Sequence, residues 1–210
     1  PLLAPGVLII APFNYPVNLS LVPAAGSLAA GNPTVLKMSD VAPSVSHLMA
    51  TLVSHYFPAT TRSGGALTVV EGGGESTTQL LQSGRWGKIF FTGSTRVGKI
   101  VATHAAQTLS PIVLELGGKS PVYISEHINP NEMTVLTDRI VWGKLYNGGQ
   151  TCVAPDHIVC HTAHMDQFCD SILHSIQRFT ATTGNTQNSS TTKKTNRYEQ
   201  VPRIINQQHT

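Results

Sequence analysis

Short apolar runs alternate with longer amphipathic stretches along most of the chain. The first pair is the apolar run GVLIIAPF at 6–13 and the stretch at 18–32, which ends in a Gly-Asn pair typical of a helix end. The next amphipathic stretch has its apolar residues at helical spacing: Leu48, Met49, Leu52, Val53, Tyr56 and Phe57. The pattern therefore predicts strands that alternate with single helices.

The same alternation continues through the first half of the chain. Further strands are predicted at 34–38, 66–73, 88–94, 112–118 and 121–125, and further helices at 76–84 and 96–109. Continuously apolar strands that are separated by single helices are typical of a parallel sheet with both faces covered. We therefore predict an α/β fold with a doubly wound, Rossmann-like parallel sheet.

The pattern changes in the second half of the chain. A long helix at 131–147 leads into a loop that contains Cys152, and a strand follows at 157–163. This change predicts two domains. They comprise residues 1–116 and residues 117–210, and the second is the start of another α/β domain.

Toward the end of the chain, a stripe of apolar residues at helical spacing occupies 165–179 and includes Cys169, which we therefore expect in a core. Cys160 lies inside a predicted strand and is also expected to be buried. The segment 180–196 is polar and of low complexity. We do not expect it to bury enough apolar surface to become ordered.

Composition narrows the classes of function. With 40% hydrophobic and 12% charged residues, 18 glycines and 13 prolines, the chain is typical of a globular protein with many turns. A net charge of only +3, with scattered Lys and Arg, argues against a nucleic-acid surface. No apolar run approaches the roughly 20 residues of a membrane span. The chain begins with Pro1 directly before an apolar strand and ends without a helix cap, so we expect it to be truncated at both ends.

The three cysteines favour a reducing compartment, and we predict a cytoplasmic protein. They are odd in number and lack metal-ligand spacing, so neither a disulfide framework nor a metal site is predicted. Cys152 differs from the others because Gly148, Gly149 and Pro155 predict a bend around it. A thiol on an exposed bend can act as a nucleophile if backbone amides or a cation favour the thiolate. The alternative is an ordinary loop cysteine.

Glu115 is a second candidate, because it lies within an apolar predicted strand where a buried carboxylate is costly. Desolvation would raise its pKa toward that of a general base. The alternative is a carboxylate that accepts hydrogen bonds from backbone amides at the end of the strand.

Other polar residues follow the ends of predicted strands. Lys37 and Asp40 follow the second strand, at the edge where open α/β sheets bind ligands. Asn14 follows the first strand, and its side-chain amide could donate to an oxyanion. Surface charges for the first two and a simple turn residue for Asn14 are the alternatives.

The stretch FTGSTRVGK joins a predicted strand to a predicted helix. Gly93, Ser94 and Gly98 in this stretch could let a phosphate approach backbone amides at the helix N-terminus. Their spacing matches neither of the two common nucleotide-binding fingerprints, so a tight turn is the alternative.

Five motifs in this order resemble the aldehyde dehydrogenase superfamily: PFNYP, VLK, FTGSTRVGK, LELGGKSP and GQTCVAP. The resemblance extends from Gly6 to His161, and FFTGSTRVGK with TCVAPD is most similar to the class 3 and fatty aldehyde dehydrogenase branch. It implies the central part of an enzyme that oxidises an aldehyde to a carboxylic acid with NAD or NADP. It also implies a homodimer for the whole enzyme and leaves membrane attachment open.

The resemblance also implies roles for individual residues. Cys152 matches the nucleophile that forms a thiohemiacetal and then a thioester, and Asn14 matches a donor to the oxyanion. Glu115 matches the base that activates water for thioester hydrolysis. Lys37 and Asp40 match positions that hold the adenosine ribose. The region beside the pyrophosphate is matched by Gly93, Ser94 and Gly98.

Some features depart from the family pattern. Met38 and Asp40 stand where the family usually has Pro and Glu, and the shorter Asp40 side chain changes the expected ribose contact. The family's N-terminal segment and its downstream Glu-x-Phe-Gly-Pro region are not found in these 210 residues. An alternative function is therefore a non-catalytic remnant that acts at most as a nucleotide-binding or interaction module.

Overall fold

The computed structural model of the chain describes residues 6–58, 65–180 and 202–206. These residues form two compact units, which are separated in sequence at the bond between Gly117 and Gly118. The predicted domain boundary lies one residue earlier. The predicted low-complexity segment lies outside the described residues, apart from its first residue.

The first unit contains one parallel sheet of five strands. The strands are β1 (Val7–Ile10), β2 (Thr34–Lys37), β3 (Leu67–Val70), β4 (Lys88–Gly93) and β5 (Ile112–Leu116). They are connected in turn by the helices α1 (Asn18–Ala29), α2 (Pro43–Tyr56), α3 (Gly74–Gln82) and α4 (Thr95–Thr108). The order in the sheet is β3-β2-β1-β4-β5, so the chain builds outward from β1 in one direction and then in the other.

Both faces of this sheet are covered by helices. Successive residues of the central strand β1 point to opposite faces, so β1 contributes to both cores. The face toward α1 and α2 buries Val7, Ile9, Ala24, Leu36, Met49 and Val53. The face toward α3 and α4 buries Leu8, Ile10, Leu81, Ile89, Val101 and Ala105. The prediction of a doubly wound parallel sheet is confirmed.

The two ends of α4 have different capping arrangements. At its start, Ser94 Oγ accepts a hydrogen bond from the backbone N–H of Val97 at 3.3 Å, as expected of a serine N-cap. At its end, Leu109 adopts a left-handed conformation with φ of 54° and is 81% exposed. Glycine is the usual residue at such a position, because a Cβ is strained there.

The second unit is a smaller α/β arrangement. Its two parallel strands are β6 (Ser120–Ile124) and β7 (Pro155–Cys160), and its helices are α5 (Met133–Leu145) and α6 (Met165–Thr180). Its core buries Ile124, Met133, Ile140 and Phe168. No helix in the described parts of the chain is long and apolar enough to cross a membrane.

A polar cluster joins α5 to α6. The Thr137 hydroxyl is fully buried and donates to the Met133 carbonyl at 3.0 Å. The same hydroxyl oxygen lies 2.8 Å from Ser171 Oγ and 2.9 Å from Ser175 Oγ. The second unit therefore holds its two helices together partly through hydrogen bonds between buried and partly buried hydroxyls.

The core prediction for Cys169 is wrong, because this cysteine is exposed on α6. The helix buries the side that carries Phe168 and Ser175, and Cys169 lies about 100° around the helix axis from Phe168. Cys160 is partly rather than fully buried, at the end of β7. Its burial, followed by the effect of nearby Cys169, raises the pKa of the Cys160 thiol.

Candidate active site

Most of the predicted site residues lie at the carboxyl edge of the five-stranded sheet. Because the strands are all parallel, the loops that follow them emerge at this one edge. Lys37 ends β2, Gly93 ends β4, and Asn14 lies partly buried in the loop between β1 and α1. The chain changes direction in the sheet between β1 and β4, and open α/β sheets bind their ligands at such a switch point.

Lys37 is buried at this edge, with 2% of its surface exposed. Its Nζ donates to the Met38 carbonyl at 2.6 Å and to the Gly72 carbonyl. Burial lowers the pKa of Lys37, while the charge of Asp40 acts in the opposite direction. The alternative of a surface charge is therefore wrong for Lys37. A buried ammonium fixed by two backbone carbonyls is a positioned hydrogen-bond donor.

Asp40 and a glycine turn lie next to Lys37. Asp40 is exposed on the loop after β2, and a Cβ added at Gly73 would come within 2.8 Å of its Oδ2. Gly72 has φ of +114°, which a residue with a side chain rarely adopts, and it supplies the carbonyl to Lys37. These glycines were not among the predicted site residues. The signal was the EGGGE stretch at the end of a predicted strand.

The glycines around the start of α4 serve close packing. A Cβ at Gly93 would come within 2.6 Å of the Phe91 ring, and a Cβ at Gly98 would come within 2.8 Å of Leu116 Cδ2. Gly98 therefore lets α4 pack closely on β5, as the last glycine of dinucleotide-binding turns does. Phosphate binding stays a prediction for Gly93, Ser94 and Gly98.

Glu115 is exposed, so the expectation of a buried carboxylate is wrong. It lies on β5, which is the last strand of the sheet, and it points to the face opposite the residues that pack toward α4. Its neighbour across the sheet is Thr92 on β4. The Thr92 Oγ1 atom is buried and has no hydrogen-bond partner among the described residues.

Cys152 lies in the second unit, in the turn between α5 and β7, and its thiol is free and exposed. Directly before this turn, Asn147 and Gly148 lie in left-handed conformation within the segment Tyr146–Gly149. The Ala154 N–H then donates to the Thr151 carbonyl at 3.1 Å, which closes the turn around Cys152. The predicted bend around this cysteine is confirmed.

Two residues of the LELGGKSP motif contact the Cys152 backbone. Ser120 Oγ donates to the Cys152 carbonyl at 3.4 Å, and a Cβ at Gly118 would approach the same carbonyl oxygen to 3.3 Å. The absence of a side chain at Gly118 therefore leaves room for the cysteine loop. These roles could not be read from the sequence, because they join residues more than thirty positions apart.

The chain belongs to the aldehyde dehydrogenase family. The model of the Aldehyde dehydrogenase family matches residues 5–209, nearly the whole chain. Aldehyde dehydrogenase family 3 member B2 of Mus musculus is 42% identical over 203 residues, which cover 97% of this chain and 38% of that protein. The rat (Rattus norvegicus) protein called aldehyde dehydrogenase, dimeric NADP-preferring, is 43% identical over 173 residues, 82% of this chain and 36% of that protein. The chain thus spans well under half the length of these relatives, and its resemblance to the class 3 branch is confirmed.

Solved structures of the family have the same fold. The substrate-bound state of Staphylococcus aureus AldH matches with a TM-score of 0.79 and 35% identity, over 97% of this chain and 40% of that one. A Mycobacterium tuberculosis aldehyde dehydrogenase complexed with NAD+ matches with a TM-score of 0.71 and 30% identity, over 82% of this chain and 35% of that one.

Proposed function

We propose that the protein that carries this chain oxidises an aldehyde to a carboxylic acid with NAD+ or NADP+, and that Cys152 is its nucleophile. The observation that carries the proposal is the free, exposed thiol of Cys152 on a turn, in a chain that belongs to the aldehyde dehydrogenase family. Such a thiol can be reached by a small carbonyl compound, whereas Cys160 is partly buried.

In this proposal, the Cys152 thiolate adds to the carbonyl carbon of the aldehyde and gives a thiohemiacetal. A bound nicotinamide supplies one chemical function, which is to accept the hydride that leaves this carbon. The thioester that remains is hydrolysed by water, and the acid and the free thiol are released. We assign the stabilisation of the oxyanion to the Asn14 amide and the Cys152 N–H, and the activation of water to Glu115.

We place the cofactor at the carboxyl edge of the five-stranded sheet. The residues there fit a dinucleotide: Lys37 offers a fixed donor for ribose hydroxyls, and Asp40 offers an acceptor beside a glycine turn. Gly93, Ser94 and Gly98 would form the turn and helix start beside the pyrophosphate. The buried Thr92 hydroxyl, unpartnered within the described residues, is a further polar group at this edge. Because relatives are described with NADP preference and with bound NAD+, either dinucleotide is proposed.

Two further properties are proposed for the whole protein. A homodimer is proposed because the rat relative is described as dimeric. A cytoplasmic location is proposed because a thiol nucleophile must stay reduced, and all three cysteines are free.

The experiment that tests the proposal compares Cys152→Ser with Cys169→Ser in the whole protein. Both substitutions remove an exposed thiol. With an aldehyde and NAD+ or NADP+, we expect the first variant to lose reduced-cofactor formation by about a thousandfold or more and the second to keep it. Persistent activity of Cys152→Ser would disprove the assignment.

The role of Glu115 is tested separately. If it activates water, Glu115→Gln should let the acyl-enzyme thioester accumulate, and intact-mass spectrometry would detect the added acyl group on Cys152. Unchanged hydrolysis would show that Glu115 is structural. If the wild-type protein binds dinucleotide by calorimetry but turns over no aldehyde, the non-catalytic nucleotide-binding alternative replaces the proposal.

A further inference from the structure

The chain enters the Cys152 turn through three successive residues in left-handed conformation. Asn147, Gly148 and Gly149 have φ of 52°, 65° and 76°. Asparagine and glycine are the residues that tolerate this region best, because other side chains clash with the backbone there. This left-handed turn ends at Gln150, two residues before the thiol.

The side chain of Gln150 joins this turn to a distant segment of the second unit. Its Nε2 donates to the Asn147 carbonyl at 3.0 Å and to the Arg203 carbonyl at 3.3 Å. Its Oε1 accepts from the Ile205 N–H at 2.9 Å. The amide thus pairs with the carbonyl and N–H of residues two apart, much as a neighbouring β-strand would. Both donor hydrogens and the acceptor of Gln150 are used.

The segment 202–206 also approaches the left-handed turn directly. A Cβ added at Gly148 would come within 2.7 Å of the Pro202 carbonyl oxygen. The same is not true of Gly149, whose added Cβ would meet the Lys144 carbonyl at 3.2 Å. The segment therefore lies against Gly148, where an added side chain would collide with it.

We propose that residues 202–206 form a brace that fixes the Cys152 turn, and that Gln150 is a positioning residue for the nucleophile. The inference rests on the proposed function, in which Cys152 attacks the aldehyde. Ser120 contacts the turn at the Cys152 carbonyl, and the brace contacts it two residues before Cys152, through Gln150. We infer that the hydrogen bonds from Gln150 to Arg203 and Ile205 help to fix the turn and with it the position of the thiol.

Loss of the brace should affect the chemical step more than cofactor binding. A displacement of about 1 Å can slow a reaction by about a hundredfold when the attacking atom must meet its target in one geometry. The residues proposed to bind the cofactor belong to the first unit, whereas Gln150 and the brace belong to the second. We therefore expect kcat to fall by about tenfold or more, with KM for the dinucleotide changed by less than about threefold.

The first test compares Gln150→Ala with Gln167→Ala in the whole protein. Gln167 belongs to the same unit and also donates its amide to a backbone carbonyl, that of Pro130 at 2.9 Å, so its loss controls for removal of such a bond. Three quantities are measured: kcat and KM, hydrogen exchange of the peptide that contains Ile205, and the iodoacetamide alkylation rate of Cys152 relative to Cys169. For Gln150→Ala we expect lost protection at Ile205, the lower kcat and at least about a threefold lower alkylation ratio. Gln167→Ala should match the wild type in all three.

If Gln150→Ala fails to fold, a second pair of variants tests whether residues 202–206 fix the Cys152 turn. Gly148→Ala and Gly149→Ala both place a side chain at a left-handed position, so they share the backbone strain. Only the first pushes against the Pro202 carbonyl at 2.7 Å. A larger loss of kcat and of Ile205 protection in Gly148→Ala than in Gly149→Ala is expected, and equal effects would contradict the brace.

Two results would overturn the inference. One is unchanged protection of Ile205 in Gln150→Ala, and the other is lost protection with wild-type kcat and a wild-type alkylation ratio. Failure of the proposed function is distinguishable, because it appears as persistent activity of Cys152→Ser. The alkylation ratio does not depend on turnover, so it tests the positioning of Cys152 in either case.

Discussion

In the first unit, strand register sets the positions of the candidate site residues, whereas in the second unit a single turn and its hydrogen bonds do so. Lys37 ends β2 and Gly93 ends β4, the two strands on either side of β1. The backbone hydrogen bonds of the sheet fix the spacing of these strands. Cys152 is in no strand or helix; Ser120 contacts its carbonyl, and in the proposed brace Gln150 joins the turn before it to Ile205. Side-chain substitutions should therefore move Lys37 and Gly93 little, whereas they can displace Cys152.

The two units also differ in what holds their layers together. The sheet of the first unit has an apolar core on each face. The second unit has one apolar core and a polar cluster between its helices. Because buried hydrogen bonds contribute only when every partner is satisfied, the second unit should respond to changes that leave a hydroxyl unpaired.

The largest expected effect is that of Leu8→Ala. Leu8 is fully buried in the central strand of the first unit, and removal of such a side chain costs about 2–5 kcal/mol. Leu48→Ala, which removes a half-exposed leucine from α2, should cost much less. Hydrogen exchange measured by peptide in rising urea reports the two units separately. Equal loss of stability in both units of Leu8→Ala would show that the two units do not unfold independently.

The next largest effect is expected in the second unit, from Thr137→Val. The substitution keeps the shape of the side chain but leaves Ser171 and Ser175 without their shared hydroxyl. We expect the free energy of unfolding of this unit to fall by about 1–3 kcal/mol. Thr103→Val on α4 is the matched control, because Thr103 is exposed. This substitution should change the free energy of unfolding of its own unit, the first, by less than about 0.5 kcal/mol. Unchanged exchange in the α5 and α6 peptides would show that the polar cluster does not stabilise the unit.

The helices and strands of both units could be predicted from the sequence. The spacing of apolar residues indicates a helix or a strand even when the element that packs against it is not known. The sequence also selected Lys37 and Cys152, each next to a strong local signal, a strand end or a glycine pair. It did not predict the burial of Lys37, which depends on the Gly72 carbonyl 35 positions away. It predicted burial for Glu115, because a strand sequence does not reveal that its strand lies last in the sheet.

Positions that depend on backbone conformation or on distant partners were missed. Gln150 reads as an ordinary turn residue, since its partner Ile205 is 55 positions away. Leu109 reads as the last apolar residue of a helix, because leucine rarely adopts the left-handed conformation found there.

A smaller effect of opposite sign is expected for Leu109→Gly in the first unit. Glycine relieves the strain of the left-handed conformation, and the lost side chain is almost fully exposed. The free energy of unfolding should rise by about 1 kcal/mol. Leu109→Ala removes most of the same side chain but keeps the Cβ, so it should give no such gain. Equal stability of the two variants would show that the end of α4 is not strained.

The smallest effect is a pH dependence confined to the second unit. Asp138 on α5 pairs with Arg178, and a hydrogen bond with Ser175, then one with Arg178, lowers the pKa of its carboxyl below the ordinary 3.8. A lowered pKa in the folded state stabilises that state above pH 3.8, and the contribution is lost as the pH falls through the folded pKa. Asp138→Asn should therefore remove this loss of stability at acid pH, measured by hydrogen exchange of the α5 and α6 peptides. The stability of the first unit should not change. Because the Ser175 hydrogen bond is the largest cause and the charge of Arg178 the smallest, this pH dependence should change little in 1 M salt, and strong weakening by salt would assign it to the charge of Arg178 instead.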